Sequence, residues 1–162
     1  MRLFKHFRMV AMFLVLANLL ATSVLAKDLR SRLGIGFVDQ YSNGVPALSA
    51  KYGLTKDLHI ATALGFSTAD RADVVFSGKI FKNIFFETNL NFYSALALAY
   101  LKHDERSGIE ILGVLGAEFF IPGVDSLGLS FETGVSGSNI TNTFVLKTIG
   151  FTFLHAGMHF YF

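Results

Sequence analysis

The 162-residue sequence predicts an all-β protein, an eight-stranded antiparallel up-and-down transmembrane β-barrel. Three observations predict it. Apolar residues alternate with small or polar ones at period two along most of the chain after Ala26. The charges in those segments fall on the parity opposite the apolar one. A strand of about 10 residues tilted by about 40° rises about 26 Å, the height of an apolar membrane band.

The first 26 residues stand apart from that pattern. Arg2, Lys5 and Arg8 precede an apolar run from Met9 to Leu20, and small side chains follow at Val24 and Ala26. Basic, apolar, then small is the order of a secretory signal peptide. The apolar run is about twelve residues, against the roughly 20 that span a bilayer as a helix. Residues 1–26 are therefore expected to be a signal peptide cleaved after Ala26, and residues 27–162 a single barrel domain. The formal charge of +2 includes the three basic residues of the leader, so the remainder suggests no nucleic-acid partner.

Eight segments alternate after the leader: about 31–38, 46–52, 58–67, 73–81, 85–101, 109–121, 127–136 and 147–162. Leu58 to Ser67 is the clearest, with Leu58, Ile60, Thr62, Leu64 and Phe66 on one parity and His59, Ala61, Ala63, Gly65 and Ser67 on the other. Tight connections are expected at Gly53 to Asp57, Lys82 to Ile84 and Pro122 to Ser126. The other connections centre on Ser42-Asn43-Gly44, Asp70-Arg71, His103 to Arg106 and Gly137-Ser138-Asn139.

Alternation does not say which face is wet. The charges decide. Arg32, Lys51, Lys79, Glu87, Glu110, Glu118, Glu132 and Lys147 share the non-apolar parity, four basic and four acidic. That parity is rich in Gly, Ala and Ser, which suit a confined lumen. Charges sealed in a narrow interior must pair. The expectation is a lumen charge network with apolar side chains facing lipid. A three-residue turn at Lys82 to Ile84 would place Lys79 opposite Glu87, and a five-residue turn at Gly53 to Asp57 would place Lys51 opposite His59.

The chain ends His155-Ala156-Gly157-Met158-His159-Phe160-Tyr161-Phe162. His155, Gly157, Phe160 and Phe162 fill, in order, the polar, Gly, aromatic and terminal-aromatic places of an assembly signal. The segment resembles the last strand of bacterial outer-membrane β-barrels. By strand number and length the chain resembles the small eight-stranded barrels of the OmpA and OmpX type. The resemblance implies the outer membrane as location, membrane lipid as surroundings and the barrel-assembly machinery as a partner through the last strand. Two departures weaken transfer of function. There is no Trp, so girdles must come from residues such as Phe37, Tyr52, Phe66, Phe86, Phe119 and Phe160, and the outer loops are short.

Catalytic and ligand signals are sparse. The absence of Cys excludes a disulfide scaffold, a thiolate metal site and a Cys nucleophile. No His-x-Ser pair occurs, and no other nucleophile and base are assembled. His155 and His159 lie roughly 13 Å apart along a strand, too far to share one ion. No catalysis, metal or cofactor is expected, and oligomeric state is not legible. Three readings follow: a structural or surface-interaction barrel closed by its lumen charges, a narrow or gated channel, and a soluble periplasmic barrel binding an apolar ligand. The third alone puts the large Phe and Leu side chains inside.

Overall fold

The computed structural model describes residues 27–68, 73–141, 143–149 and 155–162. The expected signal peptide and the Asp70-Arg71 connection lie outside the described residues. The strands are β1 (Leu33–Val38), β2 (Ala47–Gly53), β3 (Leu58–Ser67), β4 (Asp73–Glu87), β5 (Leu90–His103), β6 (Arg106–Phe120), β7 (Leu127–Ser138), β8 (Val145–Thr148) and β9 (His155–Tyr161). All pair antiparallel with their neighbours. β8 and β9 are two lengths of one stave: β9 pairs with the first half of β7 and β8 with its end. β9 also pairs with β1, which closes an eight-stranded barrel.

The register fixes the tilt. From Gly34 the pairing runs through Lys51, Ala61, Lys79, Ala97 and Leu112 to Ser136. In the other direction Gly34 pairs with Tyr161, whose amide donates to Ser126 O. Ser126 and Ser136 are ten residues apart on the same stave, so the sheet closes with a shear of ten. Ten residues of rise against eight inter-strand spacings gives a tilt of about 40°. Each residue then advances about 2.5 Å along the axis, and Phe119 to Ile109, both outward on β6, span about 25 Å.

Period two sorts the faces. Leu48, Leu64, Phe76, Ile80, Leu96, Leu98, Leu115 and Phe160 face outward and are exposed. Of the residues expected in girdles, Phe37, Tyr52, Phe66, Phe119 and Phe160 are exposed on the outside, and Phe86 is half-buried beside Lys56 Nζ at 4.8 Å. The soluble reading required the opposite arrangement.

Three expectations about elements are corrected. The fourth connection is not Lys82 to Ile84. β4 runs on to Glu87, and the turn is Thr88-Asn89, with Asn89 at φ 54°. Asn83 stays in the strand because its amide N–H donates to Asp57 O at 2.7 Å and its side chain donates to Lys56 O at 3.1 Å. The fifth strand therefore starts at Leu90 rather than at 85. The last strand does not keep one register over 147–162, of which 150–154 lie outside the described residues: opposite β7, β8 and β9 are four residues out of register with each other. The Pro122-Gly123 turn is as expected. Val124 N–H donates to Ile121 O at 2.9 Å, and Gly123 takes φ 85°, the left-handed position that a Pro-Gly turn gives to Gly.

The interior has two zones. Toward the end holding the chain termini it is polar. Toward the opposite, loop end it is mainly apolar, with Val75, Ala99, Leu101, Leu112 and Val114, and the buried Glu110 and Ser136 lie among them. The β1–β2 connection folds into that cluster, burying Tyr41 and Val45, and turns at Gly44, whose N–H donates to Tyr41 O at 3.0 Å.

Candidate functional site: the polar lumen

Two ion pairs cross the lumen. Lys51 Nζ lies 2.8 Å from Glu118 Oε2, and Lys79 Nζ lies 2.5 Å from Glu132 Oε2. All four side chains are buried. The barrel's tilt puts the Lys79 pair roughly 7 Å nearer the loop end than the Lys51 pair. Each carboxylate takes a second, phenolic donor. Tyr161 OH donates to Glu118 Oε1 at 2.6 Å, and Tyr93 OH donates to Glu132 Oε1 at 2.7 Å. Lys79 also donates to Gln40 Oε1 at 2.5 Å. The Phe81 ring serves both cations, with Lys51 Nζ 4.5 Å and Lys79 Nζ 4.9 Å from its centroid. Paired charge, phenol and ring together offset the desolvation that an isolated buried charge would suffer.

Glycines make room for the phenols. A Cβ on Gly116 would lie 2.6 Å from the Tyr93 ring, and one on Gly34 would lie 2.7 Å from the Tyr161 ring. The short inward Gly34-x-Gly36 run is thus a close-packing feature. His159 Nε2 and Ser49 Oγ are 3.0 Å apart, and Tyr41 shares a hydrogen bond with Ser77. A cavity of about 10 Å³ is lined by residues that include Lys51, Lys79, Glu132, Tyr41 and Ser77, room for about one water.

The expected network residues divide. Lys51, Lys79, Glu118 and Glu132 make the two pairs. Glu110 is buried nearer the loop end, accepting the Ser42 N–H at 3.2 Å. Arg32 lies at the terminal end and donates to Tyr161 O at 3.0 Å. Lys147 is half-buried on β8, opposite Ser136. Glu87 is not inside: it is exposed beside the β4–β5 turn, opposite Leu90. The proposed Lys79–Glu87 pairing is therefore wrong, because β4 runs six residues past its expected end and Lys79 sits opposite Ala97. Lys51 sits opposite Ala61, and it is Gly53 that faces His59, since Leu54 N–H donates to Leu58 O and the turn that closes the hairpin is three residues, Thr55-Lys56-Asp57, rather than five.

In the last strand, His155 and Gly157 face inward, His155 Nδ1 donating to the Asp39 carbonyl and Gly157 lying opposite Ser130. Phe160 and Phe162 face outward and are exposed. The sequence reading missed Tyr93, Tyr161 and Gln40. The two tyrosines carried a signal, a phenol on the inward parity. Gln40 carried none, because it follows the end of β1. Among the described residues, no group of three His, Asp or Glu could hold a metal ion.

No family model and no curated protein matches the sequence. Among solved structures the chain is similar to the crystal structure of the N-terminal β-barrel domain of Pseudomonas aeruginosa OprF, at 16% identity and a TM-score of 0.56. The match covers 82% of this chain and 98% of that one. The likeness is one of fold, and it is the OmpA-like, closed eight-stranded barrel that the terminal strand and the strand number led one to expect.

Proposed function

We propose that the chain is an integral outer-membrane β-barrel with a structural or surface-interaction role and no catalysis, its lumen closed by the side chains within it. The observation that carries this reading is the reversal of faces. Phe66, Leu96 and Leu146 are about 70% exposed on the outside, while Lys51 and Glu118 are at most 2% exposed within. Water would disfavour that exterior, whereas a membrane barrel needs it. A lumen cavity of only about 10 Å³ beside Lys51, Lys79 and Glu132 supports a closed barrel over a conducting one. The likeness to the OprF barrel domain supports the outer membrane as the place. The partners are membrane lipid and, through His155, Gly157, Phe160 and Phe162, the assembly machinery.

Fractionation and bilayer recording test the two halves of the reading separately. The protein should partition with outer membranes after salt and carbonate washing, and purified protein should show no steady conductance in planar bilayers. Recovery in the soluble fraction would overturn the membrane reading. Stable single-channel steps would replace the closed barrel with a narrow channel.

A further inference from the structure

The terminal end of the lumen is covered by residues that belong to no strand. Leu29 is 1% exposed and packs with Phe120 and Tyr161 across the floor of the polar zone. Gly53, at the end of β2, is its notch. Ser31 N–H donates to Gly53 O at 2.8 Å, and Gly53 N–H donates to Arg32 O at 3.2 Å. A Cβ on Gly53 would lie 2.0 Å from the backbone oxygen of Leu29, so the segment seats only on glycine. The turn that aims Leu29 inward is closed by Arg32 N–H on Leu29 O at 3.1 Å. Its third residue, Ser31, takes φ 60°, a left-handed conformation that such a turn normally gives to Gly. A non-glycine residue held there is a place to look for function. The near end is tied twice: Lys27 Nζ lies 3.2 Å from Asp125 Oδ1, and Lys27 O accepts from Asn91 Nδ2 at 3.3 Å.

We propose that Lys27–Arg32 is a strap that seals the terminal mouth of the lumen, with Leu29 as the stopper and Gly53 as the catch. The ion-pair tiers lie behind it: Tyr161, which Leu29 covers, donates to the Glu118 that pairs with Lys51. Water reaches that tier from the terminal side only when the strap lifts. The inference rests on the closed-lumen reading, and the experiment separates the two.

The chain has no Cys, so one introduced thiol can be followed alone. His59→Cys places it in the lower tier at a position 1% exposed, where the ring's Nε2 has no hydrogen-bond partner among the described residues. The probe is a charged methanethiosulfonate applied to folded protein in detergent micelles, with heat-modifiable gel mobility confirming the fold of each variant. Labelling should be slow with the strap intact. It should rise at least ten-fold when Leu29→Asp or the milder Gly53→Ala is added. Slow labelling in every folded variant would overturn the strap and leave the closed lumen standing. Fast labelling with the strap intact would overturn both.

Discussion

Lys79 and Glu132 show how a buried charge is satisfied in this lumen. Lys79 has Glu132, Gln40 and the Phe81 ring around it, and Glu132 has Tyr93 as its second donor. Lys79→Met leaves the carboxylate with a phenol alone. Removing one partner of a buried pair costs about 3–5 kcal/mol, less where water enters. Adding Glu132→Gln should restore part of the loss, with a coupling of about 0.5–3 kcal/mol in a double-mutant cycle. Reversible unfolding in lipid vesicles measures it, and strictly additive costs would break the assignment. Glu87→Gln is the internal contrast: an exposed turn residue should change stability by no more than about 0.5 kcal/mol. Gly116→Ala should cost about 1–3 kcal/mol, because its methyl group would overlap the Tyr93 ring and push the phenol off Glu132. Restored stability in Gly116→Ala with Tyr93→Phe, rather than a further loss, would not fit that account, since Phe keeps the ring.

At the level of elements, connections and edges carry the testable claims. The β1–β2 connection presents Gly44 outward, with open space around its α-carbon, while Gln40 and Tyr41 turn inward. An epitope inserted between Asn43 and Gly44 should be detected on intact cells. Detection only after permeabilisation would invert the proposed orientation. The final strand makes the second claim. Phe162 is 75% exposed at its tip, so its side chain contributes little to the folded barrel. Deleting it should lower the yield of heat-modifiable protein in cells while leaving the stability of refolded protein nearly unchanged. Equal yields in cells would remove the assembly role. The β4–β5 turn explains a misreading. Lys82-Asn83-Ile84 looked like a turn because Asn favours turns, but the Asn in the left-handed conformation is Asn89.

For the molecule as a whole, the claim is that solvent and lipid have exchanged places relative to a soluble barrel. Leu64 is outward, exposed and near mid-height of the apolar band. Leu64→Arg should cost about 2–4 kcal/mol in a bilayer if it lies near the midplane. On a water-facing strand the same change would cost within about 0.5 kcal/mol. Unfolding in vesicles decides, and a tolerated arginine would sink the membrane reading. The two interior zones divide the work of closure. The loop-end half is held mainly by apolar contact through Val75, Leu101, Leu112 and Val114, with Glu110 buried there and bonded to the Ser42 N–H. The terminal half depends on its ion pairs.

Alternation by itself determined which side chains share a face, because successive residues of a strand point to opposite sides whatever the fold around them. With the position of the charges and the small residues beside them, that grouping put Lys51, Lys79, Glu110, Glu118 and Glu132 inside, and Leu64 and Phe160 outside. Composition and the last eight residues pointed to the barrel class. Tertiary structure decided the partners. Lys51 and Glu118 are 67 residues apart, and Lys79 and Glu132 are 53. Which lysine meets which glutamate depends on every intervening turn length and on the shear of ten at closure, and an error at one turn displaces all that follow. The misplaced β4–β5 turn had that effect on Lys79 and Glu87. The inward β1–β2 connection and the Lys27–Arg32 strap lie outside regular strands, where no periodicity exists to report them. Their positions are set by contacts that form only once the barrel is closed.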